Sequence, residues 1–128
     1  MSGPARPSLG VLLSSGGHDK AHYALVVATA AAALGRDTTL FATNAGCRLL
    51  LRDAPLAADP REAVLAARGV ATLAELLDAA LALPVRLLAC EAGLRAEDLS
   101  GRSLLPDAEV AGVATFLEAV GAGQIVSL

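Results

Sequence analysis

Short apolar runs alternate with helix-length segments along the whole sequence, and that order limits the architectures open to it. Leu9-Gly-Val-Leu-Leu13 is a continuous apolar run of strand length, the pattern of a strand buried on both faces. Thr38-Thr-Leu-Phe-Ala42 is β-prone and again short, Val85-Arg-Leu-Leu-Ala-Cys90 reads as a third strand, and Ala108–Ala111 and Gln124–Leu128 as two further strands. Between them the spacing predicts a helix from Asp19, as N-cap, to about Leu34, with Gly35 just past its end. Shorter helices are predicted over 61–68, Arg95–Leu99 (closed by Gly101) and Val113–Val120. Thr72-Leu-Ala-Glu75 matches a capping box, and Pro84 stops the helix that it opens near Leu83. Thr43–Gly46 reads as a loop, Cys47–Leu51 as a short helix and 53–60 as an irregular excursion. Strands and helices in this order imply parallel strands joined by right-handed crossovers. The expected fold is α/β: a three-layer α/β/α sandwich with a mostly parallel sheet of about five strands. Residues 9–128 form its single domain, and residues 1–8, with Gly3, Pro4 and Pro7, a flexible tail.

Composition removes several classes of function. Hydrophobic residues make up 55% and charged residues 18%, which excludes a disordered chain. Aromatics are only 2%, so the core must be built from small and aliphatic side chains between closely packed helices. The net charge of −3 and the scattered arginines argue against a nucleic-acid groove. Ala24–Leu34 is too short for a membrane span, which needs about 20 apolar residues. Ser14-Ser-Gly-Gly17 interrupts the first apolar run, so no secretory signal is expected and a cytoplasmic protein is. Two cysteines without a CxxC pair are no disulfide framework; in a reducing compartment both are thiols.

In parallel α/β sheets, sites lie beyond the carboxyl ends of the strands. Three polar or reactive segments fall there: Ser14–Lys20, Thr43–Cys47 and Cys90–Gly93. Cys90 stands where a buried strand opens into a loop near a helix start, where backbone N–H groups stabilise a thiolate. A free cysteine is also among the most buried residue types, so position alone leaves an inert core thiol open. Cys47 follows Gly46 at an expected helix start and can resolve an oxidised Cys90 if the two Cα atoms come within about 7 Å. Gly16-Gly17 before a helix resembles an anion cradle, but it matches neither the Walker loop nor the dinucleotide fingerprint, and a plain tight turn serves as well. His18 and His22 have i, i+4 spacing, yet Asp19 stands where the zinc motif needs Glu, and no metal site is expected. His18 remains a candidate proton partner for a thiolate. Ser14 and Ser15 lack the nucleophile-elbow pattern.

The segments Leu9–Gly17, Thr38–Gly46, Val85–Glu91 and Glu109–Leu117 together resemble the DsrE/DsrF-like sulfur-relay family over roughly residues 9–128. The resemblance implies a homotrimer or homohexamer that takes sulfane sulfur from a donor protein as a persulfide and passes it to an acceptor thiol. The matching sulfur-bearing position is Cys90. The Met-rich stretch that often follows the family cysteine is replaced here by Ala92–Glu97. On this reading Cys90 is catalytic, with His18 and Cys47 in support. Ser15, Gly16, Gly17, Asn44 and Gly46 stabilise the anion, and no cofactor is expected. Two alternatives stay open: a thiol redox protein using Cys90 and Cys47, and a non-catalytic oligomer that binds a small anion or nucleotide.

Overall fold

The first three expected strands become the central strands β1 (Leu9–Leu13), β2 (Thr38–Ala42) and β3 (Arg86–Cys90), with β4 (Ala108–Ala111) and β5 (Gln124–Ser127) at the edges. The computed structural model describes residues 6–128. Its sheet has the order β4-β3-β2-β1-β5, and every pairing is parallel. The helices are α1 (His18–Ala33), α2 (Arg61–Ala67), α3 (Leu73–Ala82), α4 (Glu91–Ala96) and α5 (Val113–Val120). Among the described residues no helix is long and apolar enough to cross a membrane.

Period-two alternation divides the strand side chains between two cores. Leu9, Val11, Leu13, Leu40, Ala42, Leu87 and Ala89 enter the larger one, beneath α1 and α3. Alanines at 21, 24, 28 and 31 form the buried stripe of α1, and their small size lets that helix lie close to the sheet. Phe41, Leu88 and Cys90 point to the opposite face and meet Phe116 and Val120 of α5. Phe41 and Phe116 stack with centroids 5.0 Å apart. Gly10 makes that stack possible, because a methyl there would lie 2.4 Å from Val120 and 2.7 Å from the Phe116 ring. The chain steps from β1 to β4 in one direction and then returns to β5. Right-handed crossovers therefore place α1 and α3 on one face and α5 on the other.

Local chemistry sets most boundaries. Thr72 accepts from the Glu75 N–H and Glu75 accepts from the Thr72 N–H, completing the capping box. Gly35 is left-handed at φ +83°, as the end of α1 requires. Three expectations need correction. The N-cap of α1 is Gly17, not Asp19, which lies in the first turn and favours the positive end of the helix dipole. The segment after β2 is a 3-10 helix over Asn44–Leu50, and Pro55–Ala58 forms a second such turn. The helix placed at Arg95–Leu99 begins directly after β3, at Glu91, and ends at Ala96. Of the expected tail, residues 1–5 lie outside the described residues. Arg36 donates to the Pro7 and Ser8 carbonyls at 2.7 and 3.3 Å.

Candidate functional site

With all strands parallel, the segments after β1, β2 and β3 share one rim, and glycines interlock them. A methyl on Gly16 would lie 2.8 Å from the Cβ of Ala45. One on Gly46 would lie 2.2 Å from the Leu13 carbonyl oxygen, and one on Gly93 would lie 2.4 Å from the Asn44 nitrogen. Asn44 holds the left-handed conformation at φ 49°, which asparagine tolerates better than most residues.

Cys90 occupies the switch point of this rim. It is the last residue of β3, in register with Ala111 at the end of β4. Beyond it α4 buries Leu94 in the larger core, whereas α5 leaves β4 toward the opposite face. Connections diverging from neighbouring strands are where open α/β sheets form their sites. Cys90 is also the N-cap of α4, and its Sγ accepts a hydrogen bond from the Gly93 N–H at 3.3 Å. The residue is 9% exposed, with Phe41, Leu88 and Phe116 in its cluster.

The other expected site residues lie differently. Cys47 is fully buried in the larger core, on the opposite side of the sheet from Cys90, and donates to the Ala42 carbonyl at 3.4 Å. Burial pushes its thiol up to about 11. The Cys90 N–H opposes that rise, and the nearby Cys90 and Glu97 add to it. Two N–H groups of the expected anion cradle are already engaged: Gly17 donates to Ser15 Oγ at 3.2 Å and Gly46 to the Thr43 carbonyl at 2.9 Å. Asn44 is exposed, and its backbone abuts Gly93 beside the Cys90 cap.

His18 turns inward and is 4% exposed. Its Nε2 lies 2.6 Å from Glu62 Oε1, which also accepts the Leu73 N–H at 2.7 Å, while Oε2 accepts the Ala74 N–H at 3.2 Å. An ionised carboxylate only accepts, so Nε2 is the donor. His22 stacks on His18 at 6.0 Å, and its Nε2 meets the Ala71 carbonyl at 2.8 Å. The i, i+4 pair thus clamps α1 to the segment that leads into α3. Sequence reasoning missed Glu62, because nothing local links it to a histidine 44 positions earlier.

Burial raises the Glu62 carboxyl, but the hydrogen bonds from His18, Leu73 and Ala74 outweigh it and hold the group below its ordinary value. A depressed native value means that its stabilisation is complete above the ordinary value of 4.5 and is lost as pH falls through the lower native one. Glu62→Ala is expected to cost about 2–3 kcal/mol at pH 7, because it strands two buried donors. Urea unfolding at pH 7 and in acid checks this: the gap between variant and wild type should narrow in acid. An equal gap at both pH values would dismiss the clamp's ionic character.

A hollow of about 380 Å³ beside α4 is lined by Glu91, Leu94, Arg95, Ser100 and Val110. A larger one of about 430 Å³ is lined by Arg52, Asp53, Gly101, Arg102 and Ser103. Neither includes Cys90.

Comparison with known proteins agrees with this architecture. No curated protein matches the sequence. The crystal structure of the YchN protein from E. coli superposes with a TM-score of 0.72 at 14% identity, covering 96% of this chain and 100% of that one. At that identity the likeness speaks for the fold. The sequence profile of the DsrE/DsrF-like family matches residues 8–127, nearly the whole of the described chain. With a five-stranded parallel sheet and a cysteine closing its third strand, the chain belongs to the DsrE/DsrF-like family.

Proposed function

We propose that this protein carries sulfane sulfur as a persulfide on Cys90 and passes it to an acceptor thiol. The observation that carries the reading is the Cys90 sulfur at the sheet's switch point, accepting the Gly93 N–H. A donor of this kind steadies negative charge on sulfur, the form that attacks and accepts sulfur. Family membership supplies the sulfur-relay context.

The chemistry is two thiol exchanges without net oxidation. The Cys90 thiolate attacks the outer sulfur of a donor persulfide; a new S–S bond forms, the donor S–S bond breaks, and the donor leaves as a thiolate. An acceptor thiolate then attacks the outer sulfur on Cys90 and releases the Cys90 thiolate. Of the proposed anion-stabilising residues, Asn44 abuts Gly93 beside the cap, and Ser15, Gly16, Gly17 and Gly46 stand in the segments of the same rim. His18, held by Glu62, contributes by fixing the start of α1. Donor and acceptor are proteins in a reducing compartment, where both cysteines stay free. A trimer or hexamer is supported by apolar side chains left on the surface: Tyr23 and Leu34 of the α1 region (56% and 58% exposed), and Val113 and Leu117 of α5 (52% and 51%). Light scattering at micromolar concentration reads that assembly, and a monomer would remove it.

Incubation with polysulfide followed by intact-mass and peptide analysis tests the reaction. The expected product is a gain of about 32 Da, one sulfur atom, on Cys90, removed by a small thiol. Loading on neither cysteine, or a Cys47–Cys90 disulfide after peroxide treatment, would favour the binding module or the redox protein instead.

A further inference from the structure

The hollow of about 430 Å³ is not lined by Cys90, and sulfur exchange leaves it without a role. Its walls come from two short segments, one following the 3-10 helix Asn44–Leu50 and one between α4 and β4. An antiparallel bridge between Leu51 and Leu104 joins them. Two backbone hydrogen bonds flank the bridge: the Arg52 N–H donates to the Ser103 carbonyl at 2.8 Å, and the Leu105 N–H to the Leu50 carbonyl at 2.9 Å. Leu51 and Leu104 both belong to the larger core. Side chains alternate across such a pair, so Arg52 and Ser103, one step along each segment, stand on its outer side. A polar hollow over an apolar seam follows from this register.

The charges in the hollow do not cancel. Arg102 Nη2 donates to Asp53 Oδ2, a pair that closes across the two segments and fixes the Arg102 guanidinium. That contact leaves the other N–H donors of Arg102 free for a ligand. Arg52 is exposed and meets no carboxylate at ion-pair distance among the described residues. Two guanidiniums therefore face one carboxylate, on a chain whose net charge is −3. Ser103 adds a hydroxyl, and a methyl on Gly101 would meet nothing within 4 Å, so that wall stands open. One guanidinium fork satisfies a planar carboxylate, whereas two forks and a hydroxyl suit the outer oxygens of a phosphate. We propose that this hollow binds a small phosphate monoester, its phosphate held by Arg52, Arg102 and Ser103 and its organic part filling the remaining volume. Binding here is independent of whether Cys90 carries sulfur.

The test is a titration of the full chain with glycerol 3-phosphate at constant ionic strength, read by backbone amide NMR shifts. Sodium chloride and glycerol are the controls. Saturable shifts are expected at residues 52, 53 and 101–103, with a dissociation constant on the order of a millimolar, because both arginines are exposed. Arg52→Gln is expected to weaken binding by about five- to tenfold, the loss of charge-assisted hydrogen bonds at an exposed site. Arg68→Gln removes an exposed positive charge at the end of α2, outside the hollow, and should stay within about twofold of wild type. Unchanged amide shifts elsewhere in the two variants show that both are folded. Shifts that sodium chloride reproduces, or that never saturate, would reduce the effect to ionic screening and overturn the proposal. An equal loss in Arg52→Gln and Arg68→Gln would assign it to net charge and overturn it too. So would saturable shifts centred on Ser14–Lys20 instead, which would place the anion at the glycine turn before α1.

Discussion

Cys90→Ser should abolish sulfur loading while leaving the fold intact. The oxygen of serine cannot form the S–S bond on which the carrier depends, so the loss should exceed roughly a hundredfold. The structural cost runs the other way. Cys90 caps α4 by accepting the Gly93 N–H, and serine is among the preferred N-cap residues. Stability is therefore expected to stay within about 1 kcal/mol of wild type. Polysulfide treatment with mass analysis reads the first effect, and urea unfolding the second. A variant that still gains sulfur would move the chemistry to another atom.

Gly93→Ala should damage both stability and loading, although propensity alone argues for it. Gly93 lies inside α4, where alanine would be favoured by about 1 kcal/mol. Against that stands a methyl placed 2.4 Å from the Asn44 nitrogen and 2.7 Å from Thr43 Oγ1. The first obstacle is backbone, so either α4 or the segment after β2 must shift. Overpacking of this kind costs about 1–3 kcal/mol and exceeds the propensity gain. The shift also carries the Gly93 N–H away from the Cys90 sulfur, and loading should fall by about tenfold, one hydrogen bond of upper ordinary strength. Thermal unfolding and loading rates measured side by side would decide it; a stabilised variant with normal loading would show that the contact yields easily.

These cases mark how far the residues alone could be read. The strands were legible as short apolar or β-prone segments bounded by polar residues, glycine or proline, and β1, read as buried on both faces, contributes side chains to the larger core and packs Leu12 against the smaller one. Local chemistry also announced the capping box at Thr72 and the left-handed Gly35. The start of α1 was misplaced because Asp19 has the side chain of a cap, whereas Gly17 holds the position without one. The inward turn of His18 depends on Glu62, a partner that only the folded chain brings near. The stretch after Cys90 was expected to open as a loop before a helix at Arg95; instead α4 begins at Glu91, and Gly93 is a helical residue in close approach to the Asn44 backbone. Convergence of three segments on one rim followed from topology alone. Strand parity sets the face of Cys90 at the end of β3, whereas Cys47 enters the opposite core from the 3-10 helix after β2, which no alternation in the sequence announced.

The pairing of β1 with β5 has a consequence for biosynthesis. β1 lies between β2 and β5, and Ser14 Oγ donates to the Leu128 carbonyl across 114 positions of chain. A nascent polypeptide can zip β1, β2 and β3 as they leave the ribosome, but one border of β1 waits for a strand that is translated much later. Until then it presents a row of free N–H and C=O groups to any other extended segment. A chain that has not yet docked β5 therefore carries an unpaired strand border inside what becomes its final sheet, the kind of edge that invites wrong pairing.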